Sequence, residues 1–170
     1  MAHPVIEHAH ASLAEIGFSV SRVTGAPELP GEQLLVRISD DEQGNERQLL
    51  ITLYDGLGDH LHDAYLLQYF TRFQFLVPPE RSDDLARLLV NVNARLPDGA
   101  FGFLADGMVF FRAMAFLTTE ASTWPKVVSE YVYMTAFALN SFGAGIEAVA
   151  TGARSAREVT ATDARLEPIE

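Results

Sequence analysis

The sequence predicts an α+β protein in which an antiparallel sheet of about five strands packs against three helices, in the order α-β-β-β-α-β-β-α. Two periodicities predict this class. Apolar residues recur at every second position in the strand-like runs, and at intervals of three and four in the helix-like runs. Turn-forming residues separate the runs, which favours antiparallel strands joined by short connections.

The first half of the chain is predicted to begin with a helix and to continue into strands. The helix is expected over Val5–Ile16, with Gly17 as its stop. Phe18–Val23 alternates and is compatible with a strand, and the prolines and glycines of residues 24–32 predict a loop. Clearer alternation predicts strands over Gln33–Ser39, Arg47–Tyr54 and Tyr65–Val77. The last of these runs exceeds the usual length of about five or six residues, so we expect a bulge or a strand that outruns its neighbours.

The second half is predicted to continue with a helix and a hairpin. Ser82 is the expected N-cap of an amphipathic helix that runs to a turn at Pro97-Asp98-Gly99. Phe101–Leu104 and Met108–Phe116 flank a second turn, Ala105-Asp106-Gly107, and predict a hairpin. Because both runs are apolar on both faces, we expect their strands to be central or covered on both sides.

A long final helix, expected to end near Thr151, is predicted to bury more than one face. Its apolar seam steps by alternating four and three residues through Val128, Val132, Thr135, Leu139, Phe142, Ile146 and Val149. Tyr133, Met134 and Phe137 lie off that seam, and the helix carries few charges. We therefore predict that one face packs on the protein's own sheet and that these three residues form a protein interface, with a partner or with a second copy.

Length and composition predict one domain over residues 1–151 and a polar, frayed C-terminal tail over residues 152–170. The 170 residues include 23 acidic and 12 basic side chains, a formal charge of −11. Such a field repels nucleic-acid phosphate and anionic membranes, so neither is an expected partner. The absence of cysteine excludes disulfides, thiolate catalysis and cysteine-ligated metals. With no apolar run of about 20 residues and no signal-peptide pattern, a cytoplasmic location is expected.

The junction between the second helix and the hairpin resembles a family pattern. In the YbjN-type family of proposed bacterial sensory transduction regulators, a helix ending in Asn-x-x-Leu-Pro-x-Gly leads into a Phe-containing hairpin. The matching residues here are Asn93, Leu96, Pro97, Gly99, Phe101, Asp106, Gly107, Val109 and Arg112. The resemblance covers about residues 5–150 and implies the fold that this family shares with type III secretion chaperones. It also implies a non-enzymatic homodimer that binds another polypeptide, with no catalytic residues to carry over.

One motif supports an alternative of a different class, a metal-binding protein or metal-dependent enzyme. His60 and His62 lie within Asp59-His60-Leu61-His62-Asp63, and imidazoles two residues apart on a strand can share a zinc ion with Asp59 or Asp63. A polar connection between two strands is the more common interpretation of such a loop. His8 and His10 fall in the predicted first helix, where their spacing turns them about 200° apart. No motif places a base beside a nucleophile, so we expect no enzyme, no cofactor and no metal site.

Overall fold

The structure, a computed structural model, describes residues 2–23, 31–40, 44, 46–54 and 63–166. The helices of this part of the chain are α1 (Pro4–Glu15), α2 (Ser82–Asn93), α3 (Trp124–Ala150) and α4 (Ala156–Thr162). Its strands are β1 (Ser19–Val23), β2 (Gln33–Asp40), β3 (Glu46–Tyr54), β4 (Ala64–Leu76), β5 (Ala100–Phe103) and β6 (Met108–Thr118). Single 3₁₀ turns lie at Pro79–Arg81, Ala121–Thr123 and Ala164–Leu166.

The strands form one six-stranded sheet in the order β1-β2-β3-β4-β6-β5. The pairs β1–β2, β2–β3, β3–β4 and β5–β6 are antiparallel. The predicted α+β class is therefore confirmed, whereas the predicted counts of five strands and three helices are wrong. The additional strand is β1, whose short and mostly exposed segment gives only a weak alternating pattern.

The C-terminal segment, for which the sequence predicts a frayed tail, instead contains α4 as the fourth helix. A capping box starts it, because the Ser155 hydroxyl accepts the Glu158 N–H while the Glu158 carboxylate accepts the Ser155 N–H. Ala156 and Val159 are buried, and the Ala156 N–H donates to Oδ2 of Asp84 on α2 at 3.0 Å. The prediction fails here because two buried residues are too few to give a helical periodicity.

The described chain divides into two compact units. The first unit comprises residues 1–71 and 113–136, and the second comprises residues 72–112 and 137–170. Three elements, β4, β6 and α3, contribute residues to both units.

In the first unit, α1 and the beginning of α3 cover one face of the sheet. That face is fully buried at Leu34, Val36, Leu49, Ile51, Leu53, Leu67 and Tyr69. The Tyr69 ring stacks on Tyr131 of α3 with centroids 5.1 Å apart, and Tyr65 makes edge contacts with His3 before α1 and with Trp124. β4 pairs with β3 only from Leu66 to Phe70, which confirms the expectation that this long strand outruns its neighbour.

In the second unit, α2 packs beside the β5–β6 hairpin. The amphipathic pattern of α2 is confirmed, because Leu85, Leu88, Leu89 and Val92 are buried. The expectation that the hairpin strands are central or covered on both sides is confirmed for β6, which lies between β4 and β5, and is wrong for β5, which is an edge strand. The apolar character of β5 is explained by the packing of Phe101, which is buried against Phe73 and Phe111.

The Asn93 side chain closes the free edge of β5. Its Nδ2 donates to the Phe101 carbonyl at 3.0 Å, and its Oδ1 accepts the Phe101 N–H at 2.8 Å. The amide thus replaces a neighbouring strand at one residue. Gly99 completes the junction with φ of +75°, and a Cβ there would lie 2.5 Å from Cζ of Phe111. These contacts give the Asn-x-x-Leu-Pro-x-Gly pattern a structural role.

The predicted apolar seam of α3 is confirmed, because each of its seven residues is buried. Val128, Val132 and Thr135 lie in the first unit, and the other four lie in the second. In the second unit, Gly145 approaches Val159 of α4 closely enough that a Cβ would lie 3.0 Å from its Cγ1. Within the described part of the chain, none of the helices combines the length and apolar character required to cross a bilayer.

Candidate functional site

An open cavity of about 290 Å³ in the first unit contains Tyr133, one of the residues predicted to form an interface. Its lining comes from the end of α1, the start of β1, the end of β2 and the middle of α3. The lining residues are Ile16, Gly17, Phe18, Ser19, Arg37, Ile38 and Tyr133. We call this feature the Tyr133 cavity.

Two connected features of the local backbone bring apolar side chains to the Tyr133 cavity. α1 ends at Glu15, one residue before the predicted end, so Ile16 turns outward and is 48% exposed. The helix predicted over Val5–Ile16 thus ends one residue early, since helical spacing does not show where a helix stops. Phe18 is held by its N–H, which donates to the Leu13 carbonyl at 3.0 Å.

Tyr133 forms the opposite wall of the cavity. Its ring lies 5.6 Å from the Phe18 ring at an angle of 55°, and 52% of the residue remains exposed. An aromatic side chain so placed presents a large apolar surface together with a hydroxyl at its tip. The cavity is therefore suited to receive an apolar side chain with a polar group beside it.

Arg37 is the cation of the cavity. Its Nη2 donates to Oδ1 of Asp40 at 3.0 Å, and Glu46 lies at 4.0 Å from its Nε. The hydrogen bond to Asp40 raises the pKa of the Arg37 guanidinium, so this side chain stays charged. Among the described residues, those that line the cavity carry no carboxylate, imidazole or thiol.

The two units carry very different charges. The first unit contains 13 acidic and 4 basic residues, a formal charge of −9, whereas the second contains 10 acidic and 8 basic residues, a formal charge of −2. Glu15 and Glu130 are exposed on the elements that supply Ile16 and Tyr133. The field around the Tyr133 cavity is therefore negative despite Arg37.

The structure places the other two predicted interface residues differently. Met134 is half-buried in the first unit. Phe137 belongs to the second unit and is 58% exposed, with its side chain on the surface of α3. The role of Tyr133, Met134 and Phe137 as an interface stays a prediction.

The predicted metal alternative falls largely outside the described residues. Asp59, His60 and His62 all lie there, and only Asp63 is described, as an exposed residue with φ of +55° at the start of β4. Among the residues that the structure describes, no three His, Cys, Asp or Glu side chains form a group suited to a metal ion. His8 has a packing role, since its ring makes an edge contact with Trp124 at 5.2 Å.

A larger cavity of about 450 Å³ lies between α2 and α4 in the second unit. It is lined by Asp84, Arg87, Asn91, Ala156, Arg157, Thr160 and Ala161. Asp84 already accepts the Ala156 N–H, and the remaining apolar lining consists of small alanine side chains. This cavity lacks the exposed aromatic surface that distinguishes the Tyr133 cavity.

Sequence reasoning identified Tyr133 but missed Ile16, Phe18 and Arg37. The off-seam position of Tyr133 on α3 was a usable signal. No comparable signal marks the other three residues, because they meet Tyr133 only through the folding of separate elements. Comparison of the chain with protein-family models and with curated proteins found no match.

Proposed function

We propose that this protein is a non-enzymatic, chaperone-like interaction module that acts as a homodimer and binds another polypeptide, as the YbjN-type resemblance implies. The observation that carries the proposal is the Tyr133 cavity, where Ile16, Phe18 and Tyr133 expose apolar surface around one depression. Clustered exposed apolar side chains of this kind are typical of interaction sites.

The chemistry of the cavity favours recognition over catalysis. Buried aromatic anchors supply much of the free energy of protein interfaces, and tyrosine is among the most frequent of them. A partner side chain inserted beside Tyr133 removes apolar surface of both molecules from water, which stabilises the complex. The Tyr133 hydroxyl and the Arg37 guanidinium are available to orient the bound segment.

Charge predicts the chemistry of the partner. The first unit has a formal charge of −9, so a basic segment gains long-range attraction to it. We therefore propose that the bound segment carries an apolar side chain flanked by Lys or Arg. A regulatory or secretion-chaperone role in the cytoplasm is compatible with such binding.

A peptide titration tests the proposal. The probe is a synthetic peptide with a central leucine flanked by lysines, titrated into isotope-labelled protein and followed by NMR. We expect chemical-shift changes centred on Ile16, Phe18 and Tyr133. A Tyr133→Ser variant should bind about 30-fold more weakly, the equivalent of losing about 2 kcal/mol at a hot spot.

The matched control is Phe116→Ser. Phe116 belongs to the same unit and is 63% exposed, but it does not line the cavity. Its substitution should leave the affinity unchanged, and glutamates in place of the lysines of the peptide should abolish binding. Equal losses in Tyr133→Ser and Phe116→Ser, or shift changes that avoid the cavity, would contradict the proposed site.

A further inference from the structure

The two edge strands of the sheet, β5 and β1, differ in how well they are protected against pairing with another chain. β5 is only four residues long, and the Asn93 amide occupies both backbone hydrogen-bonding groups of Phe101. Short edge strands and covering side chains are standard protection against pairing with another chain. The β5 edge therefore has two such devices.

The β1 edge is also short, at five residues, but it lacks the covering side chain. β1 pairs with β2 residue by residue, from Ser19 opposite Arg37 to Val23 opposite Gln33, without a bulge. It contains no proline, and Ser19, Ser21 and Arg22 are exposed. Among the described residues, no side chain forms a hydrogen bond with the backbone of β1 on its open side. The Leu53 N–H donates to the Glu32 carbonyl, and the alternation that follows along the ladders directs the backbone groups of Ser21 at β2. The N–H and C=O groups of Val20 and Arg22 lie on the open side and can pair with a further strand.

We propose that β1 pairs antiparallel with β1 of a second copy of this chain, on a two-fold axis through Ser21. This inference rests on the proposed function, since it identifies the surface through which the proposed homodimer forms. It leaves the apolar side chains of the Tyr133 cavity for the partner polypeptide.

Symmetry limits the possible registers. A two-fold axis between antiparallel edge strands runs perpendicular to the sheet, so each face continues into the same face of the second copy. Side chains that lie opposite one another share a face, and therefore one residue must lie opposite its own copy. Of the five residues of β1, only Ser21 as the centre allows all five to pair.

The side chains suit this register. Ser21 lies opposite Ser21 of the second copy, Ser19 lies opposite Val23, and Val20 lies opposite Arg22. No like charges face each other, whereas a register centred on Arg22 would oppose two guanidinium groups. The Arg22 charge is also compensated within its own chain by the ion pair with Glu7. Ser21 is small enough to allow close approach at the axis.

Single cysteines test the register, because the natural chain contains no cysteine to interfere. In the proposed dimer, the Cβ atoms of Ser21 and its copy lie about 5 Å apart, close to the distance that a disulfide requires. Those of Ser19 and its copy lie about 14 Å apart, at about 3.4 Å per residue. Under mild oxidation, Ser21→Cys should therefore form a covalent dimer at least about tenfold faster than the matched control Ser19→Cys.

A mixture of two single-cysteine variants is the positive control for the Ser19 position. Ser19→Cys and Val23→Cys should cross-link to each other when combined, because these residues face each other across the axis. Light scattering of the reduced natural protein reports separately whether a dimer exists. A Val20→Pro variant, which removes an N–H on the open side of β1 and leaves the bonds to β2 in place, should become monomeric while keeping the circular dichroism of the natural protein.

The outcomes separate the two proposals. Equal cross-linking of Ser21→Cys and Ser19→Cys in a protein that is dimeric by light scattering overturns the β1 interface and leaves the proposed homodimer standing. A monomeric natural protein overturns both. Loss of peptide binding in Val20→Pro without any change of mass also overturns the inference, because the β1 edge would then serve a foreign strand.

Discussion

Replacement of Asn93 by Ala should lower the stability of the protein, because the Asn93 side chain forms hydrogen bonds with the backbone of the edge strand β5. The variant removes two hydrogen bonds to Phe101, of 3.0 and 2.8 Å, from a partly buried position. At about 1 kcal/mol for each bond, the loss is about 2 kcal/mol. Alanine returns about 0.5 kcal/mol through its higher helix propensity, which leaves a net destabilisation of about 1.5 kcal/mol.

The assay is urea unfolding followed by circular dichroism, with thermal unfolding as a second measurement. In a protein of 170 residues, a loss of this size lowers the melting temperature by about 3–6 °C. Asn91→Ala is the matched control, because Asn91 lies two residues earlier on α2 and its side chain forms no hydrogen bond with a described residue. It should be neutral or stabilised by about 0.5 kcal/mol.

The comparison of these two variants decides the role of the amide. If Asn93→Ala and Asn91→Ala unfold with the same free energy, the Asn93 side chain does not stabilise the β5 edge. Asn93→Asp should fall between the natural protein and Asn93→Ala, because a carboxylate still accepts the Phe101 N–H but no longer donates to its carbonyl. The freed edge should also make Asn93→Ala more prone to aggregate on heating.

Three further predictions concern stability. Gly99→Ala should cost more than about 2 kcal/mol in urea unfolding, because φ is positive and the new Cβ would lie 2.5 Å from Phe111 Cζ. Gly44→Ala, at φ of +83° with no atom within 4 Å, should cost only about 1 kcal/mol, and equal losses would contradict the steric account. Burial raises the pKa of Tyr69, and within the described residues its hydroxyl has no partner, so Tyr69→Phe should stabilise by about 1 kcal/mol. A destabilised Tyr69→Phe would reveal a missed hydrogen bond. Hydrogen bonds from Ser155 lower the pKa of Glu158 below 4.5, so its contribution is present above that pH and lost as pH falls through the folded-state value. The protection of α4 against hydrogen exchange, relative to the intrinsic exchange rate at each pH, should therefore fall at low pH in the natural protein and less so in Glu158→Gln, and identical profiles would refute the role of this carboxylate.

Much of the fold could be predicted because periodicity reports burial directly. The alternating leucines and isoleucines of β2 and β3 and the seam of α3 are buried as expected. The segment Phe18–Val23 was compatible with a strand and forms β1, whereas α4 was not predicted. α4 buries too few side chains to leave a helical pattern, and it is held by contacts with an element distant in sequence, such as the bond from Ala156 to Asp84.

The candidate site was less predictable than the fold. Tyr133 could be selected because an apolar residue off the buried seam needs an explanation. Ile16 lies within the range predicted for the first helix, but the helix ends at Glu15, so the exposure of Ile16 could not be predicted. The family-like pattern around Asn93 marked the right position, but only the structure shows that its amide pairs with an edge strand.

The molar mass of the natural protein in solution tests the proposed homodimer directly. It should be measured by chromatography coupled to light scattering at about 50 μM, because assembly depends on protomer concentration. A homodimer should have twice the 18.7 kDa of a single chain. A mass of 18.7 kDa across the peak would contradict the claim that this protein works as a homodimer.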